Sequence, residues 1–304
     1  MAQRNAVPKP RFCRGARCGK VIPGHPWGQE MNGQVMMSAI ASHSPRIGIE
    51  AQAPDFLRGV IAGEYALGRA ITALMPEIIV LQSAHWVTTF TWYVTCQERH
   101  RGNCVSDELP DLIPGLPYDR PGDPEFGALL VEEIKAKGLL AGRNETPHYK
   151  WDYGTFVPLQ YLDPTQRIPV VTLGTCILAD LDECYRVGVA VRDAAAKSAR
   201  RVVFVASSAL SHRLVRNPAS WPTPEHQALD RQFVALLCDG RTGAARRFLD
   251  SYAGETQVEM GGRNIATMLG VLDGVAETRL SGAEYGEYGP SSGAGHTNFA
   301  LRVD

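Results

Sequence analysis

The chain has 304 residues, 44% hydrophobic and 21% charged, with 31 Lys and Arg against 32 Asp and Glu. That is enough apolar residue for one sizeable core. The near balance of charge excludes an acidic disordered chain and gives no general basic signal for nucleic acid.

No stretch approaches the roughly 18–20 consecutive apolar residues of a membrane span. Seven irregularly spaced cysteines and no secretory leader pattern lead us to expect a cytoplasmic protein without a disulfide framework. Residues 1–34 hold six basic residues, one acid, four prolines and five glycines, and read as a flexible basic extension. Cys13 and Cys18 within it lack a second ligand pair at zinc-finger spacing. Residues 35–304 contain no break in composition and read as one catalytic domain.

Residues 35–41 are a short apolar run that leads into Ser42-His43-Ser44-Pro45, a strand followed by a loop. Residues 56–74 have helical periodicity and stop at Pro76. Residues 77–82 are a fully apolar strand ending in Ser83-Ala84-His85-Trp86, and 89–96 read as a third strand. Five prolines make 105–124 a long ordered loop. A helix is expected over 124–140, a strand over 168–174, a helix over 181–198 and a strand over 201–206 that leads to Ser211-His212. Helices over 224–238, 242–252 and 262–272 and a closing strand over 296–303 complete the chain. Strands alternating with helices predict an α/β domain whose central mixed sheet is flanked by helices on both faces.

Three apolar strands thus each end in a polar loop bearing a histidine: His43, His85 and His212. Ligands of open α/β sheets bind beyond the carboxyl ends of the strands. Two neutral imidazoles and one carboxylate form a facial triad, which suits Fe(II) and leaves coordination positions open. By pattern alone, Glu255, Glu259 and Glu284 all remain candidates for the carboxylate. Cys96, His100 and Cys104 are zinc-like residues but number only three. Gly289-Pro-Ser-Ser-Gly293 matches a nucleophile elbow as text, yet no apolar strand precedes it. There is no Walker A sequence and no GxGxxG after a strand.

Taken in order, several motifs resemble the class III extradiol ring-cleaving dioxygenases. They are Ser-His43-Ser-Pro, Ser-Ala-His85-Trp, Trp151-Asp152-Tyr153-Gly154-Thr155, Ala-Leu-Ser-His212-Arg213 and Ser291-Ser-Gly-Ala-Gly295. The similarity is greatest to the homoprotocatechuate 2,3-dioxygenase and 2-aminophenol 1,6-dioxygenase branch. It implies Fe(II) held by His43, His85 and Glu259, the last because Val258-Glu259-Met260 precedes Met268-Leu269-Gly270-Val271-Leu272 at the family spacing; Glu255 stands second. It also implies His212 as acid/base. Some relatives carry a further histidine where this chain has Tyr153, which is expected to donate a hydrogen bond. The expected reaction is O2-dependent meta cleavage of a catechol-type ring to a muconic semialdehyde. Alternatives are the same chemistry on a 2-aminophenol or dihydroxypyridine, or a zinc-binding or non-catalytic member of the fold. Arg213 or Arg263 could meet a carboxylated ring, and His148 could approach the pocket. The expected partners are a small aromatic substrate, O2 and further copies of the chain in a homo-oligomer, with no membrane or nucleic acid.

Overall fold

The computed structural model describes residues 33–304. All but the last two residues of the basic extension, Cys13 and Cys18 included, lie outside the described residues.

In chain order the elements are β1 (Gln34–Ala41), α1 (Arg58–Ala73), β2 (Ile78–Thr88), β3 (Trp92–Thr95), β4 (Arg99–Val105), β5 (Pro114–Pro121) and α2 (Pro124–Ala136). There follow β6 (Ala141–Asn144), α3 (Tyr153–Leu162), β7 (Val170–Cys176), α4 (Leu181–Ser198) and β8 (Arg201–Ser207). The chain ends with α5 (Pro224–Cys238), α6 (Thr242–Thr256), α7 (Arg263–Gly270), β9 (Leu280–Ser291) and β10 (Ala294–Val303). Four helix starts carry side-chain caps. Asp123, Asp152, Asp180 and Thr223 accept the backbone N–H groups of Phe126, Thr155, Glu183 and His226, and prolines open α2 and α5.

Eight strands form one mixed sheet in the order β6-β3-β7-β2-β8-β1-β10-β9, and β4 and β5 form a separate hairpin. The central four, β7, β2, β8 and β1, are parallel, so their carboxyl ends share one edge. β10 runs antiparallel to β1 and β9 antiparallel to β10. Strand alternation divides the core between the two faces. Ile78, Val80, Val202 and Phe204 pack with side chains of α2, α4, α5, α6 and α7. Ile79, Leu81, Val203 and Val205 pack on the other face with α1 and α3. The expected mixed sheet with helices on both faces is the fold that forms.

One local expectation changes, and α3 and β9 form where the sequence pattern predicts no element. The proline-rich segment 105–124 contains β5, which pairs with β4. Its alternation is obscured by the prolines, which a two-stranded ribbon tolerates at its free edges. The long, largely polar strand β9 runs into the Gly289–Gly293 sequence as far as Ser291, and Ser292 and Gly293, both at positive φ, form the two-residue hairpin turn that follows. α3 begins at Tyr153 and is buried almost all round, so it has no amphipathic stripe to read.

Candidate metal centre

His43 follows the end of β1, where Ser42 N–H donates to Asn298 Oδ1 at 3.0 Å and ties the loop to β10. His85 lies within β2, not in a loop after it. The pairing of β2 with β7 jumps between Gln82 and Val87, so residues 83–86 bulge out of register. Ser83 organises that bulge: its Oγ accepts the N–H groups of His85 (3.0 Å) and Trp86 (3.3 Å) and donates to Asp152 Oδ1 at 2.5 Å. Asp152 in turn caps α3, which sets Tyr153 over His85 with 4.0 Å between ring centroids.

Glu259 opens a short 3-10 turn between α6 and α7. Met260, Gly261 and Gly262 all have positive φ there, and the glycines permit the reversal that turns the carboxylate inward. Arg263 steadies the turn by donating to Met260 O at 2.7 Å and Ala179 O at 2.8 Å. Glu259 Oε2 accepts Ala209 N–H at 2.6 Å. Oε1 lies 3.0 Å from His43 Nε2, 3.7 Å from His85 Nε2 and 3.6 Å from His212 Nε2. The Nε2 atoms of His43 and His85 are 3.2 Å apart. Ligand atoms of His43, His85 and Glu259 all lie within 4.8 Å of one another.

The proton on His43 can be placed. Ser207 Oγ donates to Gly154 O at 2.6 Å, so it accepts from His43 Nδ1 at 3.0 Å. His43 Nε2, the other ring nitrogen, faces a carboxylate oxygen and a second imidazole nitrogen. Burial alone would raise the Glu259 carboxyl, but His43, His212 and His85 outweigh it and hold the group well below the usual carboxylate range. His85 is pushed down to about 3 by burial and by His43. Near neutral pH Glu259 is therefore a carboxylate and His85 a neutral imidazole. Two imidazole nitrogens and a carboxylate oxygen converging in this way form a donor set that fits a divalent first-row metal.

These residues open onto a cavity of about 290 Å³, walled also by Ser44, Arg46, Glu108, Leu109, Leu112, Tyr153, His212, Ser291 and His296. Burial, with Glu108 and Glu259 nearby, raises the Tyr153 phenol and keeps it protonated. Burial also lowers the His212 imidazole, leaving it neutral and able to accept a proton.

The structure gathers His43, His85, Glu259, His212 and Tyr153. Other sequence candidates lie elsewhere. Glu255 and Glu284 are exposed, the latter accepting from Thr297 Oγ1. Arg213 and His148 are exposed, Arg263 serves the Glu259 turn, and none of these three is among the residues that wall the cavity. The cation on the wall is Arg46, two residues beyond the Ser44 that the motif singled out. His296 went unread because it begins what looks like a plain closing strand.

A family model described as the catalytic LigB subunit of aromatic ring-opening dioxygenase matches residues 37–296. The chain belongs to this family. It is similar to the 3,4-dihydroxyphenylacetate 2,3-dioxygenase of Escherichia coli, at 25% identity over 222 residues, 71% of this chain and 80% of that one. The 2-aminophenol 1,6-dioxygenase beta subunit of a Pseudomonas species is 28% identical over 252 residues, 75% of this LigB-family chain and 82% of its own length. The crystal structure of an uncharacterised protein from Escherichia coli K12 superposes with a TM-score of 0.60 at 19% identity, covering 88% of this chain and all of the other, and shares the fold.

Proposed function

We propose that the protein is an Fe(II)-dependent extradiol dioxygenase that opens a catechol-type ring with O2, giving a muconic semialdehyde. The observation that carries this reading is the convergence of His43, His85 and Glu259 on one open cavity in a LigB-family chain. Ferrous iron held by those three residues would supply open coordination positions and electrons for joining dioxygen to the ring.

The chain's own residues do the rest. His212 Nε2, 3.6 Å from Glu259 Oε1 and facing the cavity, takes the proton that a phenolic hydroxyl loses on binding and can return it later. Tyr153, held protonated, donates a hydrogen bond from the side of His85. Leu109, Leu112 and Leu214 give the cavity an apolar wall for the ring. Its volume is at the small end for a ligand site and suits a single aromatic ring. Arg46 is the wall cation available to a carboxylated substituent. Relatives named for 3,4-dihydroxyphenylacetate and for 2-aminophenol bracket the substrate choice.

The test is anaerobic reconstitution with Fe(II), followed by O2 uptake and product absorbance across catechol, 3,4-dihydroxyphenylacetate and 2-aminophenol. One O2 consumed per ring opened is expected. Tight Zn(II) binding with no O2 uptake on any of these rings would overturn the reading.

A further inference from the structure

His296 is buried on β10 and lies on the cavity wall, its ring edge-on to His43 at 6.5 Å between centroids. Ser42 reports which of its nitrogens carries the proton. Ser42 Oγ accepts Ser44 N–H at 3.4 Å and lies 2.9 Å from His296 Nδ1, its only acceptor among the described residues. The hydroxyl proton therefore points to Nδ1, and the ring proton sits on Nε2. Among the described residues nothing accepts from that Nε2–H, and it is not sealed in protein, since the ring lines the cavity with His43, His212 and Ser291. A fixed neutral donor on a cavity wall is completed when a ligand oxygen arrives.

We propose that His296 is a substrate-binding residue, its Nε2–H donating to an anionic oxygen of the bound aromatic diol and so favouring the ionised ring. This rests on the ring-cleavage reading above. The two cavity histidines outside the metal cluster then divide the work. His212 removes the proton, and His296, locked in one tautomer by Ser42, stabilises the charge left behind without exchanging a proton. Donation to a charged acceptor is worth more than to a neutral one, so the effect falls on the ionised ligand.

The probe is 4-nitrocatechol, whose visible absorbance reports its ionisation, titrated anaerobically into Fe(II)-loaded protein. His296→Phe should weaken binding by roughly 10- to 100-fold and move ionisation of the bound ring to higher pH. His296→Gln, whose amide can still donate, should remain close to the native protein, and both variants should hold native amounts of iron. If the Phe variant does not fold, His296→Leu makes the same comparison with less bulk. A Phe or Leu variant that binds 4-nitrocatechol as tightly and as fully ionised as the native protein overturns the proposal. So does a Gln variant as weak as Phe, or loss of iron from both, which would make His296 a support for the His43 loop. Failure of the native iron-loaded protein to bind 4-nitrocatechol would instead sink the ring-cleavage reading, and this proposal with it.

Discussion

His212 Nε2 stands 3.6 Å from Glu259 Oε1 yet outside the trio whose ligand atoms converge. Its removal should spare the metal and slow the chemistry. General acid–base help is typically worth about 10²- to 10⁴-fold, so His212→Asn should retain iron and bind catechol but turn over slower by about that factor. Iron content and steady-state rates on one preparation decide; near-native turnover would remove His212 from the mechanism, and lost iron would make it a ligand. Glu64, on α1 beneath the site, poses a different question. It is fully buried with neither carboxyl oxygen hydrogen-bonded, while the neighbouring Ser42 N–H is taken by Asn298. Burial drives its carboxyl well above 4.5, with Ser42 N–H pulling weakly the other way. The fold then holds a proton that the unfolded chain releases above its ordinary range. Stability must fall as pH rises from about 4.5, by at most about 1.4 kcal/mol per pH unit. Glu64→Gln should abolish that slope and leave the protein more stable than native at pH 8, as denaturant titrations at pH 5 and 8 would show; parallel pH profiles would contradict it. The sequence exposed His43, His85 and His212 because small residues flank them at strand ends. It hid Glu64 and His296, which sit inside regular elements and gain meaning only from neighbours 22 and 254 residues away along the chain, Ser42 in both cases.

The bulge in β2 and the first turn of α3 work as one device. The bulge aims His85, Ser83 holds the bulge, and Asp152 holds Ser83 while capping the helix that carries Tyr153. Gly154 is where the two elements touch. A Cβ there would stand 2.6 Å from Ser83 Oγ and 3.1 Å from His85 Cδ2, so one of them would have to move. Gly154→Ala should therefore cost about 1–3 kcal/mol of stability, the usual range for overpacking, and lower iron occupancy through His85. Urea titration and iron analysis test both; a variant with native stability and native iron would mean that the bulge can shift without disturbing the ligand. This device was only half legible. The apolar run of β2 was clear, but its continuation through His85 was not, since Ser83-Ala84-His85-Trp86 breaks alternation and reads as loop. α3 was missed because Pro158 lies inside it and nearly every side chain is buried. β9 was missed for the opposite reason: most of its residues are polar or small, as befits an edge strand with one wet face.

At the scale of the molecule, the fold brings together candidate ligands that the unfolded chain holds far apart: His85 is 42 residues from His43, and Glu259 is 216. The sheet does this by aligning the carboxyl ends of β1, β2 and β8, an arrangement readable in the alternation of strands and helices. The turn that delivers Glu259 was not readable, because Glu255, Glu259 and Glu284 look alike until α6 and β9 leave two of them in solvent. A metal held by all three ligands binds the native state and hardly the unfolded one, so it must stabilise the whole domain. With free Fe(II) at about 1,000 times Kd, the gain is about 4 kcal/mol, enough to raise an anaerobic melting temperature by several degrees. His43→Ala, His85→Ala and Glu259→Ala should each lose most of that rise, while Glu255→Ala, on the exposed side of α6, should keep it. Melting curves of the native protein and the variants with and without Fe(II) measure the effect. A Glu259→Ala protein that keeps the full rise, or a Glu255→Ala protein that loses it, would move the carboxylate ligand elsewhere and break the link between the 3-10 turn and the metal.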